Sequence, residues 1–221
     1  MTINIAIDGP SAAGKSTIAK RLAKQLKFIH LDTGAMYRCV AYKALNLGFK
    51  LVADEEDEIC EMLKNTKIEI TTEEKVILDD VDVTMEIRTA EISMGASKVS
   101  KLLRVRKELV KRQQEISKSG GYVLDGRDIG TVVLKNAEVK IFMVADLESR
   151  ARRRYKENLE KGLDSSYSIL LEEINKRDYQ DLNRGHSPLK KADDAIEIDT
   201  SNLTIEESCE AVLKIVNEKR K

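Results

Sequence analysis

One short segment, Gly9-Pro10-Ser11-Ala12-Ala13-Gly14-Lys15-Ser16, restricts what this chain can fold into more than any other. It fits the pattern G-x-x-x-x-G-K-[ST], and its surroundings give the pattern weight. Before it, Ile3-Asn4-Ile5-Ala6-Ile7-Asp8 alternates and is β-branched, which predicts a buried first strand. After it, Ile18, Ala19, Leu22, Ala23 and Leu26 share one helical face. Strand, glycine loop and helix together let successive backbone N–H groups wrap a polyphosphate at a positive helix end. Gly9 and Gly14 supply torsions and close approach that a Cβ would block. Lys15 is expected to reach the β- and γ-phosphates, and the Ser16 hydroxyl to ligate Mg²⁺. The whole run through Thr17 is thus expected to hold a nucleoside triphosphate.

The rest of the composition narrows the partners. Lys+Arg and Asp+Glu number 38 each, so no net basic field gathers nucleic acid. Six Tyr, three Phe and no Trp make a poor base-stacking platform. Cys39, Cys60 and Cys209 are isolated and form no C-x-x-C, so neither a disulfide framework nor a zinc site is indicated. No apolar run nears membrane-spanning length, and the chain opens on a strand pattern rather than a signal peptide. A soluble, reduced, cytoplasmic protein is expected, with no membrane or nucleic-acid partner. With no broad apolar stripe left over, a monomer is expected.

Further along, Phe28-Ile29-His30-Leu31 predicts a second strand. Asp32-Thr33-Gly34 then opens a helix with Thr33 as its N-cap, its stripe running through Met36, Val40, Ala44 and Leu47. An acidic-started helix is expected over 54–64. The texture changes at 67–83, where Lys67-Ile68-Glu69-Ile70-Thr71, Lys75-Val76-Ile77-Leu78-Asp79 and Val81-Asp82-Val83 predict a small antiparallel sheet. Helical patterning then runs from about 89 to 118. Tyr122-Val123-Leu124-Asp125 and Val139-Lys140-Ile141-Phe142-Met143-Val144 are apolar runs of the buried parallel kind, with Ala195-Ile196-Glu197-Ile198-Asp199 as a last strand. Mixed-charge helices fill 147–183, and Thr204 with Glu207 makes a capping box for a final helix. The class is α/β, a five-stranded parallel sheet flanked by helices with a small antiparallel insert.

Three clusters could serve the phosphate loop. Asp32 to Arg38 lies where a strand meets a helix. Asp125-Gly126-Arg127-Asp128-Ile129-Gly130 directly follows a strand, the place where α/β sheets hold ligands. Arg150, Arg152, Arg153 and Arg154, then Arg177, Asp181 and Arg184, would suit a polyanion, since phosphoryl transfer uses arginine forks. Read from spacing alone, the first and third clusters serve equally well as solvated surface.

Taken together, these residues resemble the bacterial cytidylate kinase family of P-loop nucleoside monophosphate kinases. The likeness rests on I-D-G-P-S-A-A-G-K-S-T at 7–17, L-D-T-G-A-M-Y-R at 31–38 and E-I-R-T-A-E-I at 86–92. It continues in R-V-R at 104–106, D-G-R-D-I-G-T-V-V at 125–133 and R-D-Y-Q-D-L-N-R at 177–184. Thr33 stands where many members carry Ser, which keeps the hydroxyl. The resemblance implies a P-loop NTPase-type core over 1–65 and 102–221, an acceptor-binding insert over 66–101, and a short lid at about 150–166. It implies ATP as donor with Mg²⁺, and CMP or dCMP as acceptor. Arg38 and Arg127 would hold the acceptor phosphate, with Thr33 and Tyr37 nearby. Ser97, Arg106 and Asp128 would read the cytosine edge, while Arg177, Asp181 and Arg184 would reach ribose and phosphate. Arg153 and Arg154 would be the lid arginines, acting with Lys15 and Arg127 on the migrating phosphoryl.

Two rivals are weaker. Asn175-Lys176-Arg177-Asp178 matches the guanine-reading N-K-x-D of GTPase switches, yet it follows helical rather than strand spacing. No Asp is followed three positions later by Gly, so the D-x-x-G switch motif is absent. A P-loop kinase for another small acceptor, such as UMP, AMP or shikimate, is the second rival.

Overall fold

The computed structural model describes residues 3–160 and 162–220. The chain divides into two compact units, Met1–Ile29 with Gly120–Lys221 and His30–Ser119.

The first unit is built on the strand that precedes the phosphate loop. β1 (Ile5–Asp8) is buried throughout and is followed by α1 (Lys15–Leu26). The five-stranded sheet adds β2 (Ile29–Asp32), β6 (Tyr122–Gly126), β7 (Val139–Val144) and β8 (Ile196–Asp199), in the order β2-β6-β1-β7-β8. β2 straddles the division between the units. β1 runs parallel to both β6 and β7, pairing Asp8 with Gly126 on one side and with Phe142 on the other. A strand paired on both edges and covered on both faces has to be apolar along its length, which is how Ile5, Ala6 and Ile7 read. Ile18, Ala19 and Leu22 of α1 pack on it together with Cys209, Val212 and Val216 of α8 (Ile205–Lys219). The capping box on α8 is present, Thr204 accepting from Glu207 N while Glu207 accepts from Thr204 N. α6 (Leu147–Glu160) and α7 (Tyr167–Asn183) complete this unit.

In the second unit, α2 (Thr33–Asn46) packs on α4 (Ala90–Val99), and α3 (Glu56–Lys64) on α5 (Leu103–Ile116). A three-stranded antiparallel sheet, β3 (Ile68–Ile70), β4 (Val76–Leu78) and β5 (Val81–Asp82), lies between α3 and α4 in sequence.

Three sequence expectations change. The N-cap of α2 is Asp32, whose Oδ1 accepts from Ala35 N at 2.9 Å; Thr33 is the first helical residue. A carboxylate outcompetes a hydroxyl here because it also satisfies the positive helix end. The helical patterning over 89–118 is two helices, broken at 100–102 without Gly or Pro. Leu102 adopts an extended backbone there and buries its side chain, so packing overrides propensity. Finally, Leu47 is exposed and follows the end of α2 rather than belonging to its buried stripe.

Candidate active site

The phosphate loop leaves β1 with Gly9 at φ +151, where an added Cβ would stand 2.1 Å from the Met143 carbonyl oxygen. That neighbour is backbone and cannot yield, so only glycine fits. Gly14, at φ +89, caps α1 without any side-chain bond, and no acidic residue sits in the first turn. The amide end of α1 is therefore left to an anion. Lys15 Nζ donates to Pro10 O at 2.6 Å across the loop. Burial drives the Lys15 ammonium well below the ordinary lysine range, with Arg127 adding to the effect. Ser16 Oγ donates to Asp125 Oδ2 at 2.6 Å, so the hydroxyl that opens the helix meets the carboxylate ending β6.

Just past β6 the chain turns into a five-residue π-helical turn, Ile129–Val133. Its first two amides, Ile129 N and Gly130 N, donate to the two carboxylate oxygens of Asp8, each at 2.7 Å. This pair of hydrogen bonds to a buried acid at the end of β1 fixes the backbone that follows Arg127 and Asp128. Burial raises the Asp8 pKa to about 6, against the opposing pull of those two amides.

Arg127 Nε donates to Asp181 Oδ2 of α7 at 2.7 Å. Arg184 lies 3.9 Å from Asp128 and 3.9 Å from Asp181. Burial pushes the Asp181 carboxyl up, but Arg127, Arg177 and Arg184 outweigh it and hold it below the ordinary carboxylate range. Arg153 Nη1 donates to Thr200 Oγ1 at 3.2 Å, and Thr200 Oγ1 bonds to Ala13 O of the phosphate loop at 3.3 Å. Arg154 lies nearer the surface, paired with Glu157.

The second unit holds its own group. Asp32 Oδ2 accepts from Arg38 Nη2 at 2.7 Å, folding the arginine over Gly34. The buried Arg106 guanidinium lies over the Tyr37 ring, 5.6 Å from its centroid, a cation–π distance. Thr33 opens α2, and Ser97 lies on α4.

A phosphate cradle with Arg127, Asp128, Asp181 and Arg184 clustered in the same unit is an arrangement suited to phosphoryl transfer. The profile of the cytidylate kinase family matches residues 5–218. The chain belongs to the cytidylate kinase family. A cytidylate kinase from Bacillus subtilis (strain 168) is 51% identical over 220 residues, covering 98% of this chain and 97% of its own. One from Bacillus cereus (strain ATCC 10987) is 52% identical over 218 residues, covering 97% and 96%. Among solved structures, an uncharacterized protein from Eubacterium ventriosum shares the fold with a TM-score of 0.53, at 13% identity and 99% coverage of each chain.

Of the residues expected to serve the site, Lys15, Ser16, Arg127, Asp128, Arg177, Asp181 and Arg184 all lie in the first unit. Asp8 and Thr200 bond to backbone beside this group of residues, and Asp178 and Arg150 lie buried on the neighbouring helices α7 and α6. Asp8 is a lone charge ending an apolar strand, a signal visible in the sequence. Asp178 breaks the buried stripe Leu170, Ile174, Asp178, Asp181 of α7 in the same way. In the sequence Arg150 is one member of a basic run, and nothing local marks Thr200.

Proposed function

We propose that this protein transfers the γ-phosphoryl group of ATP to CMP and dCMP, giving CDP and dCDP. The observation that carries the reading is the juxtaposition of the uncapped α1 terminus, Lys15 and the Arg127–Asp181–Arg184–Asp128 cluster at the strand ends. Family membership supplies the identity of the acceptor.

Phosphoryl transfer between nucleotides needs no catalytic base. A phosphate monoester has a second pKa of about 6, so the attacking oxygen is already largely ionised at neutral pH. What remains is alignment and charge neutralisation. The loop from Gly9 to Thr17 holds the donor phosphates. Lys15, Arg127, Arg153 and Arg154 stabilise the migrating group, while Arg38 and Arg127 hold the acceptor phosphate. Thr33 and Tyr37 line the acceptor site; Ser97, Arg106 and Asp128 read the cytosine edge. Arg177, Asp181 and Arg184 contact ribose and phosphate. The stacking of Arg106 on Tyr37 supports the placing of those two residues together. The segment 66–101 is assigned to acceptor binding, and 150–166 to a lid that excludes water.

Mg²⁺ suits the oxygen donors present. A phosphate-bound Mg²⁺ needs only one or two protein oxygens, and the Ser16 hydroxyl with the Asp125 carboxylate beside it offers that pair. Ser16 would hold the ion, which when bound neutralises phosphate charge. Consumption of ATP fits a cytoplasmic setting. No helix among the described residues is long and apolar enough to cross a membrane. The protein is read as acting as a monomer.

The test is a coupled ADP-release assay with CMP, dCMP, UMP, AMP, GMP and shikimate. CMP and dCMP should give the highest kcat/KM. Faster turnover with shikimate or AMP would overturn the assignment, as would acceptor-independent hydrolysis of GTP, the mark of a switch. The switch reading is further weakened because Asn175, Lys176, Arg177 and Asp178 all lie within α7.

A further inference from the structure

Two buried charges grip the phosphate loop from behind, and neither belongs to the reacting set. Ser11 N donates to Asp178 Oδ1 at 3.0 Å, and Ser11 O accepts from Arg150 Nη1 at 3.1 Å. Both backbone groups of one loop residue are therefore taken up by side chains from two different helices. The pair is closed on itself, since Arg150 Nη1 also donates to Asp178 Oδ2. Arg150 Nε donates in addition to Ala145 O at 2.9 Å, just before α6 begins. Both residues are buried, Arg150 at 7% and Asp178 at 8% exposure.

Joining α6 to α7 does not require this arrangement. Two apolar residues of the same volume would hold the helices together at least as well, because a buried ion pair gives back in desolvation what it gains in attraction. What an apolar pair could not do is bond to Ser11. The guanidinium has a second effect: it neutralises a carboxylate that would otherwise stand behind a loop built for polyanions.

We propose that Arg150 and Asp178 are positioning residues that hold the phosphate loop in register with α6 and α7. Those helices carry Arg153 and Arg154, and Arg177 and Asp181 with Arg184 at the end of α7. The donor's phosphates thus meet a loop already aligned with the arginines. The inference rests on the loop holding the donor's polyphosphate.

Two full-length variants test it, with ATP, tripolyphosphate and CMP binding each followed by calorimetry alongside kcat and Tm. Arg150→Lys keeps the charge opposite Asp178 but loses the fork that reaches Ser11 and Ala145. The double variant Arg150→Met with Asp178→Leu keeps packing and removes every bond to the loop. In both, the Kd for ATP and for tripolyphosphate should rise about tenfold, the scale of one lost hydrogen bond to a charged group. kcat should fall as well, while the Kd for CMP stays within about twofold. Unchanged tripolyphosphate binding would overturn the proposal whatever the Tm, leaving the pair as helix packing. Equal losses for CMP and ATP would overturn it too, by showing general damage. Failure of the wild-type protein to bind tripolyphosphate would instead strike the loop reading, and the proposal with it.

Discussion

Asp8 shows how a single buried carboxyl can be needed in one charge state and penalised for it. Burial raises its pKa from 3.8 to about 6, yet as an anion it accepts from two amides of the π turn. Between roughly pH 4 and pH 6 the folded chain binds this proton more tightly than the unfolded one, so stability from this group falls as pH rises through that window and is level above it. The shift of about 2 units corresponds to about 3 kcal/mol at most. Asp8→Asn does not titrate. Urea denaturation at several pH values should therefore show the wild type's advantage over this variant shrinking from pH 4 to pH 6. A constant difference would mean that Asp8 titrates normally. Asp128, directly before the two amides that Asp8 holds, carries the specificity prediction. Cytosine offers an N4 donor where uracil offers an O4 acceptor, so a carboxylate attracts the first and repels the second. Asp128→Asn can turn an NH₂ toward O4. The CMP/UMP ratio of kcat/KM should drop by the equivalent of about 1–3 kcal/mol, with ATP affinity kept. A ratio held at the wild-type value would make Asp128 a structural partner of Arg184.

Among the elements, the contact of α2 with α4 gives the sharpest case of packing against propensity. Gly95 sits inside α4, where alanine would stabilise an isolated helix by about 1 kcal/mol. A Cβ at this position would meet Ala41 Cβ at 3.0 Å and Leu51 Cδ1 at 3.2 Å. The leucine tips can move, but Ala41 Cβ is fixed to the α2 backbone. Overpacking costs about 1–3 kcal/mol, so it outweighs the propensity gain. Gly95→Ala should be less stable than wild type by about 1 kcal/mol in urea denaturation; a more stable variant would show that α4 can slide off α2. At the break over 100–102, too, Leu102 is buried with an extended backbone although neither Gly nor Pro interrupts the helix there.

For the molecule as a working kinase, the two arginines proposed for the lid, Arg153 and Arg154, should separate. Arg154 pairs only weakly at the surface with Glu157, so it is available to a migrating phosphoryl group at little cost. Arg154→Ala should lower kcat by about 10³, the scale of an arginine finger, with little change in CMP affinity. Arg153 bonds to Thr200, whose hydroxyl bonds to Ala13 of the phosphate loop. Arg153→Ala should therefore raise the KM for ATP as well as lower kcat. Steady-state kinetics on both variants would distinguish them, and identical profiles would sink the distinction.

What the sequence determined by itself was local in origin. The strand–loop–helix around Gly9 to Ser16, the short apolar runs of the parallel sheet, the small antiparallel sheet at 68–82 and the capping box at Thr204 follow from patterns a few residues long. The chemistry-bearing clusters at 125–130 and 177–184 were legible for the same reason, since each is contiguous or lies on one helix face. Only the tertiary structure decided which carboxylate serves which partner. Asp125 meets Ser16 from 109 residues away, Asp8 meets Gly130 from 122, and Arg150 meets Ser11 from 139. Such pairings depend on strand order and helix packing, which place side chains in contact without regard to their separation in the chain. They also depend on burial: a charge forced out of water takes whichever partner the fold brings within reach.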